Sequence, residues 1–388
     1  MSVTMTLTTY ADALDAYHRS ELCQAQYDDG TVIMADVLVN LHGTDHRDRR
    51  RVENRLFRRE TLAHYERVVI PPVLDRAVEK ARAEGATELV AFGHDVMLEI
   101  ATRMCGIDRH EGDAAELARL SAHQRTFIEA LTLKQSTLDK GERLAAIKAS
   151  LEEWVAEFFE PSARRRRALL DEGTDAPPLD LLTTLLRAQR ELGLPDDVIV
   201  RECAFYLIVA SHTTATAFVR AVDDLMKWRE WHPDMPDDAS FVQRCVHETV
   251  RLNSSSPVGM RRALSPVTLR SGLEIPEGAT VLIDLHAVNR DRSVYGPDAE
   301  EFNPARTVPA GALPYGLTFG SGMHVCIGQD LAVGSVQRDD PETRLFGLVT
   351  VAARELLRSG ARADPEQPPE RDTTTVRRYW SRYPVLLT

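Results

Sequence analysis

The sequence predicts a mainly α-helical protein with a small β region. Residues 52–193 carry apolar side chains mostly three and four positions apart, the spacing that places them on one face of a helix. Residues 268–288 instead alternate apolar and polar side chains and are punctuated by glycine and proline, which is typical of a small antiparallel sheet. The 388 residues are 43% hydrophobic, enough to bury a sizeable core.

Helix signals continue into the second half of the chain. After a turn-rich break at residues 171–180, Pro195, Asp196 and Asp197 are good starting residues for a long helix through residue 231. Residues 241–255 predict another helix, whereas residues 296–319 show no regular pattern. An irregular run of that length is usually functional or disordered, and the motif at its end favours function.

Composition disfavours several classes of protein. There are 47 basic and 59 acidic residues, giving a net charge of −12, so we expect no nucleic-acid partner. The longest continuous apolar run, residues 203–210, is much shorter than the roughly 20 residues of a membrane span, so we expect no membrane insertion. The first residues lack a basic segment followed by an apolar one, and Asp12 and Asp15 interrupt that region, which predicts a cytoplasmic protein.

Cysteine chemistry points to one position. The five cysteines are widely spaced and form no Cys-x-x-Cys pair, so neither a disulfide framework nor a structural zinc site is indicated. Cys326 differs from the others because residues 319–328, FGSGMHVCIG, surround it with glycines. Glycine lets a backbone approach a flat cofactor closely, and backbone N–H groups near a sulfur ligand tune its electron donation.

Three other interpretations of this loop are weaker. A phosphate-binding loop would need glycine where Val325 stands, followed by Gly-Lys-Ser/Thr. A zinc site would use His324 and Cys326 but lacks two further ligands at a familiar spacing. A buried thiol in a tight turn would be preferred if the loop stood alone.

Two further motifs accompany the loop. Residues 319–328 resemble the cysteine-ligand loop of the cytochrome P450 monooxygenases, in which a thiolate holds the haem iron. Glu248 and Arg251 match that family's Glu-x-x-Arg helix pair, and residues 302–306 match its Phe-x-Pro-x-Arg segment, called the meander. The resemblance implies a buried network of Glu248, Arg251 and Arg306 that holds the meander, and a loss of one member would be costly.

The resemblance also implies the residues that anchor the haem. His46 and Arg50 match a helical pair that binds the propionates, with Phe57 following, and one helical turn places both on one face. Arg261 matches a strand arginine that reaches a propionate, and His324 a residue of the cysteine loop. The cofactor-binding residues implied in all are His46, Arg50, Arg261, His324, Cys326, Phe319, Gly320 and Gly328, with Cys326 as the metal ligand.

Residues 210–214 resemble the oxygen-activation helix of the family, usually Ala-Gly-x-acid-Thr, with two departures. Ser211 replaces glycine, and Thr213 stands where an acid usually precedes the threonine, here Thr214. Serine and threonine hydroxyls can bend a helix by bonding to its carbonyls, and hydroxyls with water can relay protons. His212 is a titratable substitute for the acid or a packed side chain. These four residues are the catalytic candidates.

For the overall architecture, the resemblance implies a single domain over residues 1–388, a triangular helical prism around a buried haem. The N-terminal arm looks shortened, because the propionate helix begins near residue 46. We expect the shortening to remove the region that ordinarily supplies an early sheet and a substrate-covering loop.

The function implied is that of a monooxygenase that hydroxylates or epoxidises a small lipophilic molecule in secondary metabolism. It would use haem b, dioxygen and electrons from a separate ferredoxin or flavodoxin-type donor, docked in part by arginines at 46–59. Peroxide-driven or other atypical oxidation and non-catalytic haem binding are the alternatives. The substrate-pocket candidates are Ile208, Ala210, Pro257, Val258 and Gly259, and for Trp380 core packing is slightly favoured over a pocket role.

Overall fold

The computed structural model describes residues 3–135, 139–173, 177–336, 344–373 and 379–387. Its α-helices are α1 (Tyr10–Tyr17), α2 (Thr31–Met34), α3 (Gly43–Glu53), α4 (Arg59–His64), α5 (Ile70–Glu84), α6 (Leu89–Cys105), α7 (Ala114–Thr132), α8 (Lys140–Trp154), α9 (Glu160–Asp171), α10 (Leu181–Leu192), α11 (Asp196–Trp231), α12 (Ala239–Leu252), α13 (Leu285–Val288), α14 (Arg292–Tyr295), α15 (Gln329–Val333) and α16 (Leu348–Arg358). Its β-strands are β1 (Thr4–Leu7), β2 (Leu22–Gln24), β3 (Ala86–Glu88), β4 (Val258–Ala263), β5 (Val267–Thr268), β6 (Glu274–Ile275), β7 (Thr280–Asp284), β8 (Arg362–Ala363), β9 (Glu370–Arg371), β10 (Trp380–Arg382) and β11 (Pro384–Leu386).

This element order confirms the predicted mainly α fold with a small β region. The long helix begins at Asp196 as expected, and α12 lies in the predicted segment. Residues 296–321 contain no helix or strand. The turn-rich break separates α9 from α10, although residues 174–176 lie outside the described part of the chain.

The chain divides into two compact units. The β-containing unit comprises Met1–Cys23, Leu62–Val96 and Thr213–Thr388, and the helical unit comprises Gln24–Thr61 and Met97–His212. Whether the chain acts as the single domain implied by the resemblance stays a prediction.

The β-containing unit is built on a four-stranded sheet with strand order β1-β7-β4-β2. β1 runs parallel to β7, with Thr4 opposite Thr280, and β4 runs antiparallel to β7, with Arg261 opposite Val281. Alternate residues of β4 are buried, and Arg261 is one of them. The expectation that the shortened arm removes an early sheet is therefore wrong, because β1 and β2 form both edges of this sheet.

The helical unit packs its helices around large aromatic side chains. Phe127 of α7 meets Trp154 of α8 edge to face, with ring centroids 5.7 Å apart, and neither side chain is exposed. Side-chain carboxylates of Asp113, Asp139 and Asp180 accept from backbone N–H groups in the first turns of α7, α8 and α10. Such caps satisfy helix donors that otherwise lack partners, which fixes where each helix begins.

Helix α11 runs through both units. It is the one helix among the described residues that is long and apolar enough to cross a membrane by those two criteria, yet 78% of its apolar window is buried within the structure. A buried core helix of a soluble protein passes the same test.

Candidate functional site

Backbone hydrogen bonds fix the cysteine loop in the β-containing unit. The Cys326 N–H donates to the Phe319 carbonyl at 2.8 Å, and the Gly320 N–H donates to the Leu317 carbonyl at 2.9 Å. Gly320 and Gly322 have φ values of +68° and +66°, in the left-handed region that favours glycine. The glycines therefore permit a fold that presents Cys326 on a rigid turn.

Cys326 is exposed, whereas the other four cysteines of the chain are buried. Burial raises the pKa of Cys245 to about 12, and it also raises the pKa values of Cys105 and Cys203 above the ordinary thiol value. A buried thiol that stays protonated cannot serve as a metal ligand, because the thiolate is the binding form. The buried-thiol interpretation of Cys326 is wrong for this structure.

The C-terminal end of α1 supports the loop, which the sequence did not indicate. The His18 Nε2 and Ser321 Oγ atoms lie 2.9 Å apart. A Cβ atom added to Gly322 would lie 2.2 Å from the Tyr17 carbonyl oxygen, so the two backbones touch. Neither segment has a local sequence pattern that predicts a contact between residues about 300 positions apart.

Replacing Gly322 by alanine should lower the free energy of unfolding by about 2–4 kcal/mol, more than the same change at Gly320. Both variants force an alanine into the left-handed region of backbone conformation. Only in Gly322→Ala does the new Cβ also clash with backbone atoms, since the nearest atom to a Cβ at Gly320 is 3.6 Å away. Urea unfolding of the two variants measures the difference. Equal losses would show that the contact with Tyr17 does not constrain the loop.

The residues of this unit that are predicted to contact haem differ in how far they are buried. Arg261 is 5% exposed, its Nη1 donates to the Met260 carbonyl at 2.9 Å, and its guanidinium lies 5.0 Å from the centre of the Tyr17 ring. His324 is half-buried in a single 3₁₀ turn. Phe319 meets Tyr315 edge to face at 5.1 Å. Gly328 directly precedes α15 and accepts a helical hydrogen bond from Ala332.

The residues Glu248, Arg251 and Arg306 form one buried cluster. Both carboxylate oxygens of Glu248 accept from Arg251 at 2.7 Å, and Arg306 Nε donates to Glu248 Oε1 at 3.0 Å. Glu248 and Arg251 are 3% and 0% exposed. Arg306 also donates to Asp298 Oδ1 at 2.7 Å. The ion pairs hold α12 to the meander.

Asn289 extends this cluster to the cysteine loop. Its Nδ2 donates to the Arg251 carbonyl at 3.1 Å and to Thr318 Oγ1 at 2.9 Å, while its Oδ1 accepts from the Leu317 N–H at 2.8 Å. Asn289 has no exposed surface. A lone asparagine directly after a short helix carries no sequence signal, so this bridge was missed.

In the helical unit, Ser211 is fully buried and its hydroxyl is engaged. The hydroxyl donates to the Leu207 carbonyl and accepts from Gln124 Nε2, which lies 2.5 Å away on α7. Gln124 is 1% exposed and was not predicted. Ser211 therefore fastens α11 to α7 within this unit, and its catalytic role stays a prediction. His212 beside it is half-buried.

The next two residues of α11 belong to the β-containing unit. Thr214 is 7% exposed, and Thr213 is half-buried. The Thr213 carbonyl accepts from the hydroxyl of Ser255, 3.1 Å away in the loop after α12.

His46 and Arg50 lie on α3 of the helical unit. His46 is 3% exposed, and burial together with the charge of Arg50 lowers the pKa of His46 to about 4, so its ring is uncharged near neutral pH. Arg50 Nε donates to Asn54 Oδ1 at 2.9 Å. An uncharged imidazole and a guanidinium are both suitable donors to carboxylates.

The same helix faces an unpredicted pair of buried acids. Glu53 of α3 and Glu202 of α11 have no exposed surface. Glu202 accepts from Arg49 Nη1 at 2.8 Å and from the Leu38 N–H at 3.0 and 3.1 Å, whereas Glu53 accepts from the Tyr206 hydroxyl. Burial raises the pKa of Glu53 to about 7.

The predicted pocket residues differ in accessibility. Ile208 has no exposed surface and Ala210 is half-buried in the helical unit. In the β-containing unit Pro257 is half-buried, Val258 is 37% exposed, and Gly259 approaches Tyr17 so closely that a Cβ would lie 2.7 Å from its hydroxyl. Their pocket roles stay predictions.

Trp380 packs against Tyr383, and the Arg371 guanidinium lies 3.5 Å from the centre of its ring. Both contacts agree with the packing role. For the zinc interpretation of His324 and Cys326, the described residues contain no group of three or more His, Cys, Asp or Glu that could hold a metal ion.

Comparison with known sequences identifies the same region. The family model named Cytochrome P450 matches residues 229–336. Cytochrome P450 734A6 of Oryza sativa subsp. japonica is 26% identical over 381 residues, covering 84% of this chain and 67% of that protein. Cyclooctat-9-en-7-ol 5-monooxygenase of Streptomyces melanosporofaciens is 27% identical over 368 residues, covering 86% of this chain and 75% of that protein.

Solved structures show the same fold. P450BioI, solved with an acyl carrier protein bearing hexadec-9Z-enoic acid, superposes with a TM-score of 0.78 at 17% identity, covering 99% of this chain and 92% of that chain. HmtN, described as a post-tailoring hydroxylase of himastatin biosynthesis, gives a TM-score of 0.72 at 19% identity, covering 99% and 90%. Since the matched segment contains the Cys326 loop and the Glu248–Arg251–Arg306 cluster, and the fold agrees along nearly the whole chain, this protein belongs to the cytochrome P450 family of monooxygenases.

Proposed function

We propose that this protein is a haem-thiolate monooxygenase that hydroxylates or epoxidises a small lipophilic molecule in secondary metabolism. Cys326 would hold the iron of haem b, and a separate ferredoxin or flavodoxin-type protein would supply electrons. When bound, the haem supplies the oxygen chemistry, and thiolate ligation favours O–O cleavage. We place the protein in the cytoplasm.

The observation that carries this proposal is the exposure of Cys326 on a loop whose backbone is fixed. An iron ligand has to reach the metal, and the four other thiols are buried. The loop is tied to α12 through Asn289 and to α1 through Ser321. The Cys326 loop fits haem, because a thiol on a rigid, glycine-containing turn can approach a flat macrocycle closely.

Other residues would bind and orient the cofactor. His46, Arg50, Arg261 and His324 are assigned to the propionates, Phe319, Gly320 and Gly328 to contacts around the thiolate. The low pKa of His46 leaves it a neutral donor. In α11, Thr214 would hold a proton at its hydroxyl for the oxygen chemistry that the haem supplies, with Ser211, His212 and Thr213 as its neighbours in the sequence.

Replacing Cys326 by alanine should abolish the red-shifted carbon monoxide band that reports a thiolate ligand. Absorbance spectra of the reduced protein with carbon monoxide measure it, and Cys23→Ala serves as the control because Cys23 is buried. The control should keep the band. A full-intensity band in Cys326→Ala would refute the proposal.

The substrate class rests on the relatives. The Streptomyces relative is named for oxidation of cyclooctat-9-en-7-ol, and HmtN is described as a hydroxylase of himastatin biosynthesis. The first name makes a small organic alcohol the molecule oxidised, and the second places a hydroxylation in a biosynthesis, which together support the proposed role. A screen for small molecules that shift the haem absorbance of the purified protein would identify candidate substrates.

A second candidate function is peroxide-driven oxidation, which Thr213 favours. An acid at this position is associated with proton delivery to dioxygen in the family, whereas a threonine hydroxyl does not ionise at neutral pH and can pass a proton only as part of a relay. With a substrate from the screen, product yield with reductase and dioxygen is compared with yield from hydrogen peroxide. Product only from peroxide would favour this second function, and haem binding without product from either would indicate a non-catalytic haem protein.

A further inference from the structure

The departure at Thr213 lies beside a contact that reaches α11 from a distant segment. Ser255 stands in the loop between α12 and β4, and its Oγ donates to the Thr213 carbonyl at 3.1 Å. Both residues belong to the β-containing unit.

The hydrogen bond from Ser255 affects the helix at the peptide unit between Thr213 and Thr214. A helical carbonyl normally accepts from the N–H four residues later, and a side-chain hydroxyl that shares this carbonyl bends or steadies the helix locally. The carbonyl of Thr213 belongs to the peptide unit that contains the Thr214 nitrogen. Ser255 therefore acts on the backbone that carries the candidate catalytic hydroxyl.

Ser255 is itself held in place. The Tyr379 hydroxyl donates to the Ser255 carbonyl at 2.6 Å. The guanidinium of Arg220, which is on α11, lies 5.6 Å from the centre of the Tyr379 ring. The contacts form a closed ring from α11 through Tyr379 and Ser255 back to α11, so the serine is fixed at both ends.

We propose that Ser255 is a positioning residue for oxygen activation, which fixes the peptide between Thr213 and Thr214 and is held by Tyr379. Its hydroxyl proton is directed at the Thr213 carbonyl, so it orients the helix and does not supply a proton. The inference rests on the proposed function, in which Thr214 handles a proton. It adds Ser255 and Tyr379, which are distant in the sequence, to the residues that position this segment of α11.

The loop contains a matched control. Ser254 precedes Ser255, and its hydroxyl donates to the Ser256 carbonyl at 2.9 Å, within the same loop. Ser254→Ala therefore removes a hydroxyl of the same kind without touching α11. Ser255→Thr keeps the hydroxyl and serves as the conservative rescue, and Tyr379→Phe removes the hydroxyl that bonds to the Ser255 carbonyl.

The first measurement is hydrogen–deuterium exchange of the haem-loaded wild type and variants. We expect exchange over residues 213–218 to rise about fivefold in Ser255→Ala, the size of effect that one lost hydrogen bond produces. Tyr379→Phe should shift exchange in the same direction, while Ser255→Thr and Ser254→Ala should resemble the wild type. Equal exchange in Ser255→Ala and Ser254→Ala would overturn the positioning role.

The second measurement is the rate at which air reoxidises the reduced protein, in water and in deuterium oxide. We expect a changed solvent isotope effect in Ser255→Ala, restored in Ser255→Thr, because proton handling depends on where Thr214 lies. Altered exchange with an unchanged isotope effect would leave Ser255 purely structural and overturn the inference. The carbon monoxide band is recorded for each sample, and its absence from the wild type would overturn the proposed function and with it this inference.

Discussion

Glu248→Gln should lower the free energy of unfolding by about 3–5 kcal/mol, the cost of removing one partner from a buried ion cluster. Glu248 accepts from both Arg251 and Arg306, and all three side chains are at most 6% exposed. Glutamine has the same shape but no charge, so two buried guanidinium groups would lose the carboxylate they share. The effect should spread to the meander, whose Asn303 N–H also donates to Glu248 at 3.0 Å.

A nearby ion pair whose acid is exposed provides the control. Glu300 is 61% exposed and pairs with Arg290 at 3.0 Å, so Glu300→Gln should change stability by less than about 0.5 kcal/mol. Urea unfolding of both variants measures the difference. Similar small losses would mean that the buried cluster contributes no more than a pair whose acid is exposed to solvent.

The second large effect is a pH dependence set by the acid pair of the helical unit. Glu53 and Glu202 are buried together, and the charge of each disfavours ionisation of the other. Burial raises the pKa of Glu202 above its usual range as well, so the pair keeps a proton. The proton resides on Glu53, because the charged form of Glu202 is stabilised by hydrogen bonds from Arg49 and from the Leu38 N–H.

The sign follows from linkage between protonation and folding. The pKa of Glu53 is about 7 in the folded protein against 4.5 for the free side chain, so the folded state binds more protons between these values. The stability present below pH 4.5 is therefore lost as the pH rises through 7. The loss should be on the order of 3 kcal/mol, from about 1.4 kcal/mol per pKa unit.

Glu53→Gln should remove most of this dependence, because glutamine resembles the protonated acid at every pH. The variant should match the wild type near pH 5 and exceed its stability near pH 8, as measured by urea unfolding at both values. Glu202→Gln is the contrasting variant, and it should be less stable at both pH values because Arg49 loses its partner. An unchanged pH slope in Glu53→Gln would show that Glu53 is already ionised at neutral pH.

Much of the fold, the Cys326 loop and the pairing of Glu248 with Arg251 could be predicted because their signals are local. Apolar spacing and capping residues place helices such as α11 and α12 within the chain. The surroundings of Cys326 are contained in ten consecutive residues, and the pairing of Glu248 with Arg251 requires only one turn of helix. Such patterns depend on backbone geometry over short distances, which a sequence records directly.

The pairing of the N-terminal segment and the long-range polar contacts of the site could not be predicted in the same way. The N-terminal segment was expected to lack an early sheet, but edge pairing of β1 with β7 joins residues about 275 positions apart. Gln124 and Ser211, Asn289 and Leu317, and Ser255 and Thr213 are likewise joined across long separations. No motif identifies these polar residues. The same side chains at a surface would bond to water, and the sequence does not distinguish the two cases.

The sequence by itself therefore determined the family, the mainly helical fold and the expected iron ligand. Only the tertiary structure decided which thiol is exposed, what supports the Cys326 loop, and which groups share a buried proton. The physical reason is that exposure and desolvation are properties of the whole packed chain. A carboxylate such as Glu53 acquires its raised pKa only when folding removes the water around it.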